Sequence, residues 1–246
     1  MSESPSESAP GTPAGPRPTR RYAKGQATCA ALVAAAGDVF GEVGYHGASL
    51  RDIAARAQIS HPGLLHHYPT KADLLAAVLA RRDEVDDAAI DADLAAGVDF
   101  FEALVRLVER NAARPRIVEL FAVLSTEATS PDHPANGYFR ARYARSVATV
   151  AAAVEARVEA GALAPGTDAT SIARAVVALL DGLQVQWLLE RSGGTSAVDA
   201  PAVDGLPVDG LPVDGLPVDK PAVDMAAEVR AHLQRLGLLG PGAAGA

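Results

Sequence analysis

The chain is short of the features that mark enzymes, secreted domains and membrane proteins. It holds a single cysteine, Cys29, which excludes a disulfide framework and reads as a small buried hydrophobe. No apolar leader of a signal peptide is read at the N-terminus, and no run of eighteen apolar residues is free of charge, so the expectation is no membrane span and a cytoplasmic location. Aromatic residues make up only 4% of the 246, alanine supplies much of the apolar content, and strand-like alternation is scarce. That balance predicts an all-α protein. A nucleophile elbow, an H-E-x-x-H pair, a phosphate loop and a dinucleotide fingerprint are all missing, so no catalytic residue and no cofactor is read, and the expectation is not an enzyme.

What the chain does have is an uneven charge. The formal total is -8, yet residues 17–82 carry nine basic and four acidic side chains, while residues 83–246 carry 13 basic and 24 acidic. A basic head of +5 on an acidic body of -11 is the electrostatic footprint of a nucleic-acid binder. Residues 1–21, rich in Ser, Pro, Gly and Ala, read as a disordered tail. It leads into Arg17, Arg20, Arg21 and Lys24, which are placed either to touch phosphates or the minor groove or simply to lie in solvent.

The most informative stretch is ASLRDIAARAQISHPGLLHHYPTK, residues 48–71. Ser49 is a cap, and Leu50, Ile53, Ala54 and Ala57 repeat at helical spacing on one buried face. Gln58 and Ile59 form a turn, Ser60 caps a second helix, and Pro62 falls in its first turn, where a missing N–H costs little. Leu64 points to the core, and Tyr68-Pro69 stops the helix because a residue before proline avoids the helical region. Two short helices of this kind make a helix-turn-helix, whose second helix fits the DNA major groove. Before them, Cys29, Leu32, Val33, Ala36, Val39 and Phe40 share one stripe of a supporting helix over about Lys24–Val43, which Gly44 ends. After them, Thr70 caps a helix that starts at Lys71 and runs into an acidic continuation, Asp83–Asp93, expected to face water.

The pattern S-L-R-D-I-A-x-R-A followed by I-S-x-P-G-L-L-H-H-Y-P-x-K-x-x-L-L resembles the DNA-binding domain of TetR-family transcriptional repressors. The resemblance implies a head over residues 22–82, a ligand-binding and dimerisation body over 83–246, and a double-stranded DNA operator as partner. His61, Pro62 and Gly63 open the second helix and should enter the groove first, with Ser60 as its cap. Ser49, Arg51, His66, His67, Tyr68 and Lys71 match family positions that contact DNA, mostly its backbone. The chain departs from the family pattern at Gln58 for a turn glycine, Gly63 for a frequent threonine and Leu65 for a tyrosine. His61, His66 and His67 lack a cysteine or carboxylate in register, so no metal is read there.

In the body, Phe100, Phe101, Leu104, Phe121, Leu124, Tyr138 and Tyr143 are candidates to line a pocket for a small apolar effector or to form the core. Residues 119–145 resemble the ligand-binding half of one TetR subgroup. Helices over about Asp168–Glu190 and Val223–Leu236 present Ile172, Val176, Leu180, Leu183, Trp187, Val229 and Leu233. The resemblance implies that they build a four-helix homodimer interface, the alternative being an intramolecular pair. Between them a five-residue repeat, Val203-Asp-Gly-Leu-Pro207 and its copies, lies in a stretch 198–222; proline every fifth residue forbids a helix or an internal strand, so this is read as an exposed loop.

Overall fold

A computed structural model describes residues 20–192 and 223–240, with the side chains of 25–191 and 223–240. The tail at 1–19 and the repeat loop at 198–222 lie outside the described residues. Among the described residues every regular element is a helix: α1 (Arg20–Gly47), α2 (Leu50–Arg56), α3 (His61–His67), α4 (Lys71–Ala95), α5 (Phe100–Ala112), α6 (Pro115–Glu127), α7 (Asn136–Glu159), α8 (Ala169–Ser192) and α9 (Met225–Arg235). The all-α expectation holds.

Local chemistry sets the ends of the head helices. Helix α1 begins at Arg20 rather than Lys24, and its regular part breaks at Gly44, whose φ of 70° and ψ of 179° lie where essentially only glycine is found. Ser49 Oγ accepts the Arg51 N–H at 3.2 Å to start α2, and Ser60 Oγ accepts the Gly63 N–H at 3.2 Å to start α3. Thr70 and Asp73 close a reciprocal capping box on α4. Helix α2 ends with Gln58 N–H bonded to the Ala55 carbonyl and Ile59 N–H to that of Ala54, a Schellman closure that needs a left-handed residue. That residue is Gln58, at φ 56°. A side chain there costs about 1 kcal/mol, so Gln58→Gly is expected to stabilise the chain by about that amount and raise Tm by about 3 °C. A thermal melt that moves down instead would show that the turn carries no strain.

Two buried clusters hold the described residues together; the first crosses the sequence boundary between head and body, and the second lies within the body. The first contains Leu32, Phe40, Ile53, Leu64, Leu75 and Leu79 of α1–α4, and it is completed by Leu120, Phe121 and Leu124 of α6 and Phe139 of α7. Helix α1 lies so close to α6 that a Cβ on Gly41 would sit 3.2 Å from the Leu120 backbone nitrogen. The second cluster joins α5, α7, α8 and α9 through Phe101, Val105, Val154, Val176 and Leu233.

One sequence expectation is corrected here. The acidic continuation of α4 does not simply face water: Asp86 is buried, and Asp83 and Asp93 are largely covered. Their spacing keeps them on one face, opposite arginines of α5 and α7 that the pattern of α4 alone cannot reveal. Two helical stretches, 25–47 and 169–191, are long and apolar enough to cross a membrane by length and composition alone, a test that the buried helix of a packed core also passes. The first lays one apolar face in the head core. Val176, Leu183, Trp187, Val229 and Leu233 are buried inside one chain, and Ile172 and Leu180 pack against the same cluster. Helix α9 folds back on α5 and α8 and covers much of this cluster, while Ile172 and Leu180 keep part of their surface open.

Candidate nucleic-acid interface

Helix α3 is anchored by Leu64, fully buried, and turns its other faces outward. Pro62 and His66 are exposed, and His61 and Gly63 are partly so. Arg51 on α2 is exposed beside them, as are the capping residues Ser60 and Thr70. Leu65 is also exposed, a large apolar side chain on the outer side of α3. In the sequence pattern Leu65 stands only where the family has a tyrosine. In a groove an exposed leucine is suited to a thymine methyl, so it joins His61, Pro62 and Gly63 as a candidate base contact. The signal was the lone leucine adjoining the one that the core needs.

Other expected contact residues are turned to different work. The Nδ1 of His67 lies 3.4 Å from Cys29 Sγ under the helix, and Tyr68 packs against the head core. Burial raises the Tyr68 phenol above its usual range. Lys71 Nζ donates to the carbonyls of Tyr45 at 2.7 Å, Ala48 at 2.9 Å and His46 at 3.5 Å, and it lies 4.4 Å from the centre of the Tyr45 ring. Its three donors therefore tie the start of α4 to the turn before α2. Arg56 is likewise held, by a two-pronged pair with Glu42 at 2.9 Å, which lowers the Glu42 carboxyl. Lys71→Met is expected to cost about 2 kcal/mol, because two buried-side carbonyls lose a charged donor. Binding should weaken for all DNA sequences alike, which melts and a randomised-site selection together would check.

The turn held by Lys71 also meets the body. Glu127 at the end of α6 accepts the Tyr45 N–H at 2.7 Å, and its other oxygen would overlap a Cβ on Gly44. His133 lies 3.7 Å from Glu127 and stacks edge-on with Tyr45 and His46. Its Nδ1 accepts the Ala135 N–H, which assigns the proton to Nε2, and burial lowers its pKa.

The seven pocket candidates do not surround one cavity. Phe121 and Leu124 belong to the head-side cluster, with Tyr138 and Tyr143 packed against it, whereas Phe101 and Leu104 belong to the α5–α9 cluster with Phe100 beside them. A shallow crevice between α5, α8 and α9 is lined by Val108, Asn111, Leu180, Gln184 and Met225 among others. Apolar periodicity marked these side chains as buried but could not say which of two cores each one joins.

A capped helix-turn-helix with an exposed second helix, joined through one long helix to a helical body, defines a DNA-binding transcription regulator. Residues 32–78 match the family model for bacterial regulatory proteins of the tetR family, and residues 100–203 match that of the BetI-type transcriptional repressor, C-terminal. The chain belongs to the TetR family of bacterial regulatory proteins and is a DNA-binding transcriptional regulator. Solved structures agree on the fold. The fatty acid degradation regulator FadR from Bacillus halodurans superposes with a TM-score of 0.62 at 16% identity, covering 86% of this chain and 98% of that one. A protein described as a transcriptional regulator from Saccharomonospora viridis, in complex with choline, gives 0.61 at 22%, covering 85% and 96%. A gamma-butyrolactone receptor, ArpA-like, gives 0.54 at 22%, covering 69% and 88%.

Proposed function

We propose that the protein is a cytoplasmic repressor that binds a near-palindromic operator as a homodimer and releases it when a small molecule binds in the body. The observation that carries this reading is the polarity of α3, fixed to the core by Leu64 and presenting His61, Pro62, Leu65 and His66 outward beside Arg51. Base contacts from the start of such a helix specify sequence, and basic groups around it supply affinity. The match of the body to the BetI-type repressor description supports repression over activation. Its work is binding rather than catalysis.

Dimerisation is assigned to the outer face of α8. Ala175, Ala178, Gly182 and Val185 recur at helical spacing and are exposed, with Leu189 in the same line. Small residues there allow two helices to approach closely, and two-fold pairing places the heads for two half-sites about one helical turn apart. One similar structure is described in complex with choline and another as a gamma-butyrolactone receptor, which supports a small organic effector here without naming it. The test is a duplex selected from genomic fragments and titrated with salt. Affinity should fall by about 10³-fold or more between 50 and 200 mM if six or more phosphates are neutralised. A salt-independent complex, or no selected fragment, would overturn the reading.

A further inference from the structure

The seam where α4 meets α5 and α7 holds more guanidiniums than carboxylates. Asp83 meets Arg142 and Arg145, Asp86 meets Arg82 and Arg114, and Asp93 meets Arg106 and Arg110, so three carboxylates serve six guanidiniums. Arg106 also comes within 3.9 Å of Glu102, but that carboxylate is already gripped by both prongs of Arg230. Asp181 on α8 faces Tyr143 and adds a further carboxylate within electrostatic reach of Arg142 and Arg82. At the centre, Arg82 is only 8% exposed and stacks 3.7 Å from the middle of the Phe121 ring, with Arg142 at 4.8 Å from the same ring. The Nη2 of Arg82 is 3.1 Å from Asp86 and its Nη1 is 3.7 Å from Asp83, an ion-pair distance, while Nε and Nη1 are buried with no hydrogen-bond acceptor. The Tyr138 hydroxyl, close to Asp83, is buried and outside hydrogen-bond geometry.

Buried guanidinium donors are tolerated when each finds an acceptor, and a surplus of positive charge favours an incoming anion over any cation. A carboxylate also matches the forked geometry of arginine. We propose that this seam is the effector site and takes a small organic carboxylate, a proposal that rests on the effector-responsive reading of the body. The anion occupies the spare donors of Arg82 and replaces Asp83 at Arg142, with its apolar part against Phe121 and Phe139. Asp83 belongs to α4, which carries the head. Displacing it from Arg142 of α7 loosens α4 from the body and lowers operator affinity, and by linkage the operator lowers affinity for the anion.

The experiment is calorimetry on the full chain without DNA, using sodium hexanoate, hexanamide and choline as probes, with operator affinity measured separately. Hexanoate should bind at least about tenfold more tightly than its neutral amide, and choline should give no heat. Arg142→Gln should weaken hexanoate, whereas Asp83→Asn, which removes the internal competitor, should strengthen it several-fold. A damaged fold cannot produce that opposite sign. Hexanamide equal to hexanoate, choline in its place, no heat from hexanoate, or weakening by Asp83→Asn would overturn the site. A protein that binds hexanoate but no DNA would overturn the repressor reading instead and leave the site intact.

Discussion

Arginine in place of Gly182 will leave the chain monomeric and cost it at least about 100-fold in operator affinity, roughly 2.7 kcal/mol. Gly182 sits mid-helix on the outer face of α8, and a Cβ there meets nothing within 4 Å in its own chain. The substitution therefore costs the single chain little, and removing a glycine from a helix interior favours the helix by about 0.5–1 kcal/mol. Between two copies the same side chain would hold the paired α8 helices apart and bring two charges into an apolar seam. Each monomer would then engage one half-site, losing the effective concentration that tethering gives the second head. Sedimentation, a thermal melt and operator binding of Gly182→Arg beside the parent chain decide it. A dimer with undiminished affinity would show that α8 pairs with nothing, and a lowered Tm would show that the face is core.

The second large effect is expected at Gly44. Its backbone occupies a region closed to other residues, at a cost of order 1–3 kcal/mol for any side chain. A Cβ would also fall 2.2 Å from Glu127 Oε1, so the carboxylate that accepts the Tyr45 N–H must move. Gly44→Ala is therefore expected to destabilise by about 3 kcal/mol and to lower Tm by about 9 °C. It should also weaken DNA binding, because the displaced carboxylate holds the turn that precedes α2. Glu127→Ala removes the overlap but not the backbone strain, so the double variant should be less unstable than the two single losses added together. Strict additivity in denaturant unfolding would show that Gly44 and Glu127 do not share this contact.

Much of the head was legible because its signals are local. Ser49, Ser60 and Thr70 each precede a helix and cap it through an N–H two or three residues on, and Pro69 stops α3 whatever surrounds it. Gln58 in place of a turn glycine was likewise visible, since the closure of α2 demands a left-handed residue at that position. The buried faces of α1, α2 and α6 followed from period alone. Lys71, by contrast, was expected at phosphate and is found on three carbonyls, because acceptors 23 to 26 residues away are invisible to spacing.

The amino-acid sequence by itself determined the helices, their caps and the helix-turn-helix, since these depend on residues within a turn or two of one another. Tertiary structure decided which apolar face meets which. It buried Trp187 and Leu233 within one chain, left Gly182 and Val185 outside, and turned the acids of α4 inward to the arginines of α5 and α7. Periodicity fixes that a side chain will be covered, whereas its partner depends on the packing of helices distant in the chain.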